Sequence, residues 1–364
     1  MTGRPRPAVD ALPSYKPGRS AAMAEAEHGA IDAIKLASNE LPFAPLPSVA
    51  GAISAGVEDV QLYPDHRAAD LREALAEHHG LDVSQVTTGA GSAGILHQLT
   101  LAYVDPGERV AMCWPSFEVY PVYAAVVGAS AIQVPLVDET FDLGGLAAAI
   151  DDDTKLAFIA NPNNPTGTVV GTDEIVIFLE EVPSSCLVVL DEAYIEFVTD
   201  ARVCDSLSLI DRFDHLVITR TFSKAHGLAS LRCGYALSNP TVVSTIDKTL
   251  VPFAVNGLAQ RAAIASLAAA DEMLQRVDLV VAERTRVTAA LRDADWSVAE
   301  PQANFVWLPV GSPSVDLGVE LERRGVVTRV FEDIGIRITL GLAADNDRMM
   351  QALGDSATAL GLER

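Results

Sequence analysis

The chain has 364 residues, 49% hydrophobic and 21% charged, enough for a large core and one or two globular domains. Its formal net charge of −23 argues against nucleic acid or an anionic membrane as partner, and leaves any anionic substrate to a few local arginines. The four cysteines, Cys113, Cys186, Cys204 and Cys233, form no CxxC pair, which speaks against a zinc ribbon or disulfide framework and fits a reducing cytosol. The seven histidines form no HxxxH or HExxH set, so no metal site is expected. Neither a signal peptide nor a membrane-spanning run is expected: Pro5, Pro7 and Pro13 interrupt the start, and no apolar stretch is long enough.

Residues 1–30 read as a proline- and alanine-rich arm, with a turn at Tyr15-Lys16-Pro17-Gly18. A short strand at 34–37 leads to Ser38-Asn39-Glu40, a polar trio that suits a pocket edge or an ordinary turn. A helix at 49–57 follows, and Tyr63-Pro64-Asp65 breaks the chain. Residues 68–79 show helical spacing, with Leu71, Leu75 and His78 on one face and Gly80 at the end. A strand at 86–88 runs through Gly89-Ala90-Gly91-Ser92-Ala93-Gly94 into a helix at 95–103. That hexapeptide matches GxGxxG, but a dinucleotide site needs an acid at the end of the next strand, and 109–113 runs into Trp114-Pro115 instead. The more general reading is kept: glycines and a serine at a helix start suit some phosphate.

A helix is expected at 117–127, a strand at 132–135, and a helix from 141 to about 150. The apolar strand 156–160 enters Asn161-Pro162-Asn163-Asn164-Pro165-Thr166-Gly167, a stiff loop of amide side chains at a strand's C-terminal end, where ligands gather in parallel sheets. After a helix at 172–181, the strand 187–190 ends in Asp191-Glu192-Ala193-Tyr194. A carboxylate there is costly to bury unless it meets a cation, such as a protonated pyridine nitrogen; the alternative is an aspartate capping the next turn. A strand at 216–219 enters the stretch from Thr221 to Tyr235, which holds Ser223, Lys224 and Arg232. An amine attacks an aldehyde only when neutral, and burial near other cations keeps it so; Ser223 and Arg232 would hold a phosphate. Another strand follows at 233–237, and the alternation so far implies a mostly parallel sheet with helices on both faces. The remainder reads as helix (241–251, then 258–294), strands at 296–298 and 304–309, a helix at 315–324, strands at 326–330 and 335–340, and a last helix from about 345: a smaller α+β domain. Arg337, on the last strand, is either a carboxylate receptor or an edge residue, and Arg329 is a second candidate.

Asn163-Asn164-Pro165-Thr166-Gly167, Asp191-Glu192-Ala193-Tyr194 and Ser223-Lys224-Ala225-x-Gly227-Leu228 with Leu231-Arg232-x-Gly234 resemble, in order, the motifs of fold-type I aminotransferases that use pyridoxal 5'-phosphate, in the histidinol-phosphate and aromatic amino acid branch. The similarity runs from Leu36 to Thr339. It implies an aspartate-aminotransferase-like α/β fold with an N-terminal arm (1–44) packed on the small domain, a large cofactor-binding domain (45–252) and a small domain (253–364). By position it implies that Lys224 forms the internal aldimine and shuttles the proton, while Asp191 pairs with the pyridine nitrogen. Asn164 and Tyr194 would bond the phenolic oxygen and Phe117 would stack on the ring. Gly91, Ser92, Ala93, Ser223 and Arg232 would hold the phosphate, with Tyr63 reaching it from the other subunit of a homodimer. Asn39, Arg337 and Tyr15 would face the substrate. The partners implied are amino acids and 2-oxo acids, in the cytoplasm, with ping-pong kinetics.

The chain departs from the histidinol-phosphate enzymes where Ala93-Gly94 stand in place of an acidic pair, and His226 replaces the usual aromatic and reads as a helix residue. Lys35 to Glu40, Phe43 to Val49 and Gln302 to Pro309 look more like the actinobacterial aromatic, or phenylalanine, aminotransferases. The expected reaction is therefore transfer between an aromatic amino acid and a 2-oxo acid such as 2-oxoglutarate, with histidinol phosphate as the alternative substrate. The competing readings are a cofactor-dependent decarboxylase or lyase, a nicotinamide dehydrogenase built on 86–113, and a non-catalytic regulator.

Overall fold

The computed structural model describes residues 3–12, 18–203 and 206–362. Its strands, in chain order, are β1 (Ile34–Lys35), β2 (Val86–Gly89), β3 (Arg109–Trp114), β4 (Ser130–Pro135), β5 (Thr154–Ala160), β6 (Leu187–Asp191), β7 (Leu216–Thr221), β8 (Gly234–Ser238), β9 (Phe305–Leu308), β10 (Val326–Val327), β11 (Arg329–Phe331) and β12 (Gly335–Thr339). Seven form one sheet in the order β2-β8-β7-β6-β5-β3-β4, in which only β8 runs antiparallel to its neighbours. The central strands are apolar along nearly their whole length because helical crossovers leave them little contact with water: β6 and β8 are buried at every residue. β9, β11 and β12 form a second, antiparallel sheet, and β1 pairs in parallel with β10. A continuous apolar core runs from Val86 and Ile95 through β5 and β6 to Phe305 and Ile338.

The glycine-rich turn after β2 does open a helix, Gly91–Tyr103. Yet β2 lies at the far edge from β3, separated from it by β8, β7, β6 and β5, so the two are not the adjacent strands of a dinucleotide-binding unit.

Several expected elements differ. Residues 296–298 form no strand: Trp296 and Val298 are buried and the chain is fastened by Arg292, whose Nη2 donates to the Val298 carbonyl at 2.9 Å. The long helix at 258–294 is two helices, Gly257–Ala268 and Ala270–Asp293, broken at Ala269 (ψ 32°). The helical region at 241–251 is one short helix, Pro240–Ile246, capped by the Asn239 side chain. The strand at 326–330 divides at Thr328 between two sheets, as β10 and β11. In the helix Ala69–His79, Arg72 and Ala76 join Leu71 and Leu75 on the buried face, while His78 is not among the buried residues. Among the described residues no helix is long and apolar enough to cross a membrane. Cys113, Cys186 and Cys233 are buried free thiols; Cys204 lies outside the described residues.

Candidate active site

The parallel strands β5, β6 and β7 are neighbours, and their C-terminal ends deliver Ala160, Asp191 and Thr221 to the floor of one pocket. Asp191 is 4% exposed. Its Oδ2 accepts from the Tyr120 hydroxyl at 2.9 Å and its Oδ1 from the Thr219 hydroxyl at 3.2 Å. Burial outweighs these donors and raises the carboxyl to about 6. A nearby cation would stabilise the ionised form of an acid held this way.

Three residues beyond the end of β7 stands Lys224, whose Nζ donates to the carbonyls of Ser38 and Asn39 at 3.1 and 3.2 Å. Burial first, then the Arg337 charge, with smaller pushes from Arg232 and Lys35, lowers the amine from its ordinary 10.5 to about 7 against the pull of Glu40. Lys224 is thus available as the free base near neutral pH, the state in which an amine is nucleophilic or takes a proton.

Beside it lies an anion cradle. Ser92 and Ala93 sit in the first turn of the helix Gly91–Tyr103, where backbone N–H groups have no partner within the helix, and both line the pocket. Arg232 crosses this turn in a left-handed conformation (φ 55°), its Nη1 donating to Ser223 Oγ at 3.3 Å and to the Ala229 carbonyl at 2.9 Å. The approach is close enough to explain two glycines. A Cβ on Gly91 (φ 74°) would stand 2.5 Å from Arg232 Nη2, and one on Gly234 would stand 2.2 Å from the Ser92 backbone nitrogen. Helix N–H groups, hydroxyls and a guanidinium together suit a phosphate.

The opposite wall comes from β12 and the segment 37–39. Arg337 donates to the Ala37 carbonyl at 2.7 Å and to Asn164 Oδ1. Asn39, itself left-handed (φ 53°), donates from Nδ2 to the Tyr194 hydroxyl at 2.8 Å. Of the three asparagines in the 161–167 loop, only Asn164 faces the pocket. Asn161 is tied to Val170 in both directions, and Asn163 to Ser116 and Thr166, so these two shape the loop that presents Asn164.

Residues 31–353 match the family model described as aminotransferase class I and II. The chain is 48% identical over 345 residues to the aromatic amino acid aminotransferase of Thermobifida fusca, covering 95% of each. It is 46% identical over 353 residues to the protein of the same name from Mycobacterium tuberculosis, covering 96% of this chain and 98% of that one. A solved histidinol-phosphate aminotransferase from Sinorhizobium meliloti, in complex with pyridoxal 5'-phosphate, superposes with a TM-score of 0.90 at 30% identity over 99% of both chains. The chain belongs to the class I and II aminotransferases.

In this aminotransferase the pocket brings together Asn39, Ser92, Ala93, Phe117 and Asn164 with Asp191, Tyr194, Ser223, Lys224, Arg232 and Arg337. Gly91 stands behind, against Arg232. Tyr63 is elsewhere: it is 83% exposed, stacks on Phe253 with ring centroids 4.7 Å apart, and lines a separate surface hollow. Tyr15 lies outside the described residues. His226 occupies a turn, not a helix; its Nδ1 meets Ser266 Oγ at 2.8 Å, and burial lowers it to about 4, so it is a neutral packing residue. The sequence reasoning missed Tyr120 and Thr219, which hold Asp191, and Thr339 and Asn304, which hold Asn39. The aromatic three residues after Phe117 was a usable signal for Tyr120, because that spacing puts it one helical turn along.

Proposed function

We propose that this aminotransferase moves the amino group of an aromatic amino acid to a 2-oxo acid such as 2-oxoglutarate, using pyridoxal 5'-phosphate, in the cytoplasm. The observation that carries the reading is Lys224: an amine lowered to about 7, in one pocket with a buried acid and an anion cradle. The donor set fits the cofactor. Ser92, Ala93, Ser223 and Arg232 would hold its phosphate, with Gly91 as the turn that lets Arg232 approach. Asp191 would face its ring nitrogen, Asn164 and Tyr194 its phenolic oxygen, and Phe117 its ring face. When bound, the cofactor supplies an electron sink that acidifies the substrate Cα–H.

The chain's own groups do the rest. Arg337 grips the substrate carboxylate and Asn39 borders it. Lys224 Nζ takes the proton from Cα and returns it, with the Ser38 and Asn39 carbonyls holding the amine between steps. The aromatic preference is supported by the names of the T. fusca and M. tuberculosis relatives. A homodimer belongs to the proposal, with Tyr63 serving the partner's phosphate; its exposure beside Val60 and Leu62 supports this. So does the division into arm (1–44), large domain (45–252) and small domain (253–364), supported by the pairing of β1 with β10.

Purified protein should be yellow, and L-phenylalanine with 2-oxoglutarate should turn over faster than histidinol phosphate. Borohydride followed by peptide mapping should mark Lys224. A reversed substrate preference would favour the second reading, histidinol phosphate, which is supported by a second arginine in the pocket, Arg329.

A further inference from the structure

Arg329 and Arg337 are direct partners in the β11–β12 register, so their guanidiniums leave the same face of the sheet, and both line the pocket. Like charges placed directly opposite repel. The two are compensated differently. Arg337 donates to two neutral oxygens, those of Asn164 and Ala37. Arg329 Nη2 instead meets a carboxylate, Glu118 Oε2, at 2.5 Å. Glu118 immediately precedes the helix Val119–Val127 and follows Phe117, so it comes from the large-sheet side of the cleft and reaches a strand of the other sheet. The Arg329 side chain is 15% exposed and that of Glu118 42%, so a displaced acid has water to turn into while the arginine stays in the pocket wall.

We propose that Glu118 is an internal competitor for the second anionic group of a substrate. With it in place, Arg337 remains the carboxylate site of the proposed function, and Arg329 is held by an acid of the chain itself. A substrate with a neutral side chain leaves the pair intact. A substrate with a second anion, whether a distal carboxylate or a phosphate, competes with Glu118 for Arg329, and its binding is weakened by the strength of that pair. This rests on the proposed use of the pocket for amino and 2-oxo acids. It makes the aromatic preference partly a matter of charge, and it lets a dicarboxylic acceptor in at a higher working concentration.

The test uses holoenzyme with Glu118→Gln, which keeps the shape and removes the charge. Two ratios are read: kcat/KM for L-glutamate over L-phenylalanine, and the affinity of unreactive succinate over butyrate, followed by equilibrium dialysis. Both should rise by about tenfold or more, the effect of exposing a charge-assisted site. Glu118→Asp should stay near wild type, and Arg329→Gln added to Glu118→Gln should abolish the gain. A smaller rise in the succinate ratio, or a rise that persists without Arg329, overturns the assignment. Wild type that fails to turn over phenylalanine overturns the aromatic reading instead, and the succinate ratio still decides the role of Glu118.

Discussion

Thr339 holds Asn39 twice: its Oγ1 accepts from the Asn39 backbone N–H at 2.8 Å and donates to the Asn39 side-chain Oδ1 at 3.0 Å. Both residues are nearly fully buried, and Asn39 has the left-handed backbone that an unsupported asparagine leaves easily. The Asn304 Nδ2 adds a third tie, to the Asn39 carbonyl at 3.2 Å, the same oxygen that accepts from Lys224. The lysine is therefore positioned from β12 by way of Asn39, through Thr339, which is not among the residues lining the pocket.

Thr339→Val keeps the volume and strands a buried N–H and a buried amide oxygen. It should cost about 1–3 kcal/mol in urea denaturation. It should also lower kcat more than it raises KM, because the amine loses its rest position. Thr339→Ser should restore most of both. A valine variant as stable and as active as wild type would show that Asn39 holds itself.

Asp191→Asn tests the acid under the pocket. An amide can still accept from Tyr120, so the fold should survive. Without a charge to offer a ring nitrogen, turnover should fall by at least about a hundredfold. Binding of the cofactor, measured by dialysis, should weaken far less than turnover. Equal losses in both would assign Asp191 to binding alone.

The legible parts of this molecule are those written locally. Asp191, Asn164 and Lys224 follow apolar strands within a few residues, so alternation places them at strand ends, and the turn chemistry around Gly91 marks a helix start. The residues that tune them come from far away in the chain. Tyr120 reaches Asp191 across 71 positions, Arg329 reaches Glu118 across 211, and Thr339 reaches Asn39 across 300. No periodicity encodes such pairs; they exist only once the sheets are packed. The strand expected at 296–298 fails for the same reason. Its apolar residues are buried by packing, and Arg292 fastens the Val298 carbonyl.

Gly234 is a position where nothing larger fits. A Cβ there would meet the backbone of Gly91 and Ser92, at 2.5 Å and 2.2 Å, and neither atom belongs to a side chain that can swing aside. Gly234→Ala should therefore push β8 from the start of the helix Gly91–Tyr103, costing about 1–3 kcal/mol. It should weaken inorganic phosphate and the cofactor in parallel, which dialysis of the cofactor-free protein measures. Unchanged phosphate affinity would remove this helix turn from the cradle.

The depressed Lys224 amine predicts a stability that depends on pH. In the unfolded chain it keeps its ordinary 10.5, and in the folded, cofactor-free protein it sits at about 7. Between these values the unfolded state binds the extra proton, so folding gains as the pH rises. Below pH 7 the lysine is charged in both states and its burial penalty is felt in full. Lys224→Met should therefore stabilise the cofactor-free protein at pH 6. That advantage should shrink by about 3 kcal/mol by pH 9, at about 1.36 kcal/mol per unit over the two units above the folded value. Urea midpoints of wild type and variant at the two pH values give the difference directly. A constant difference would mean that the folded amine remains charged throughout and that burial beside Arg337 does not set its proton.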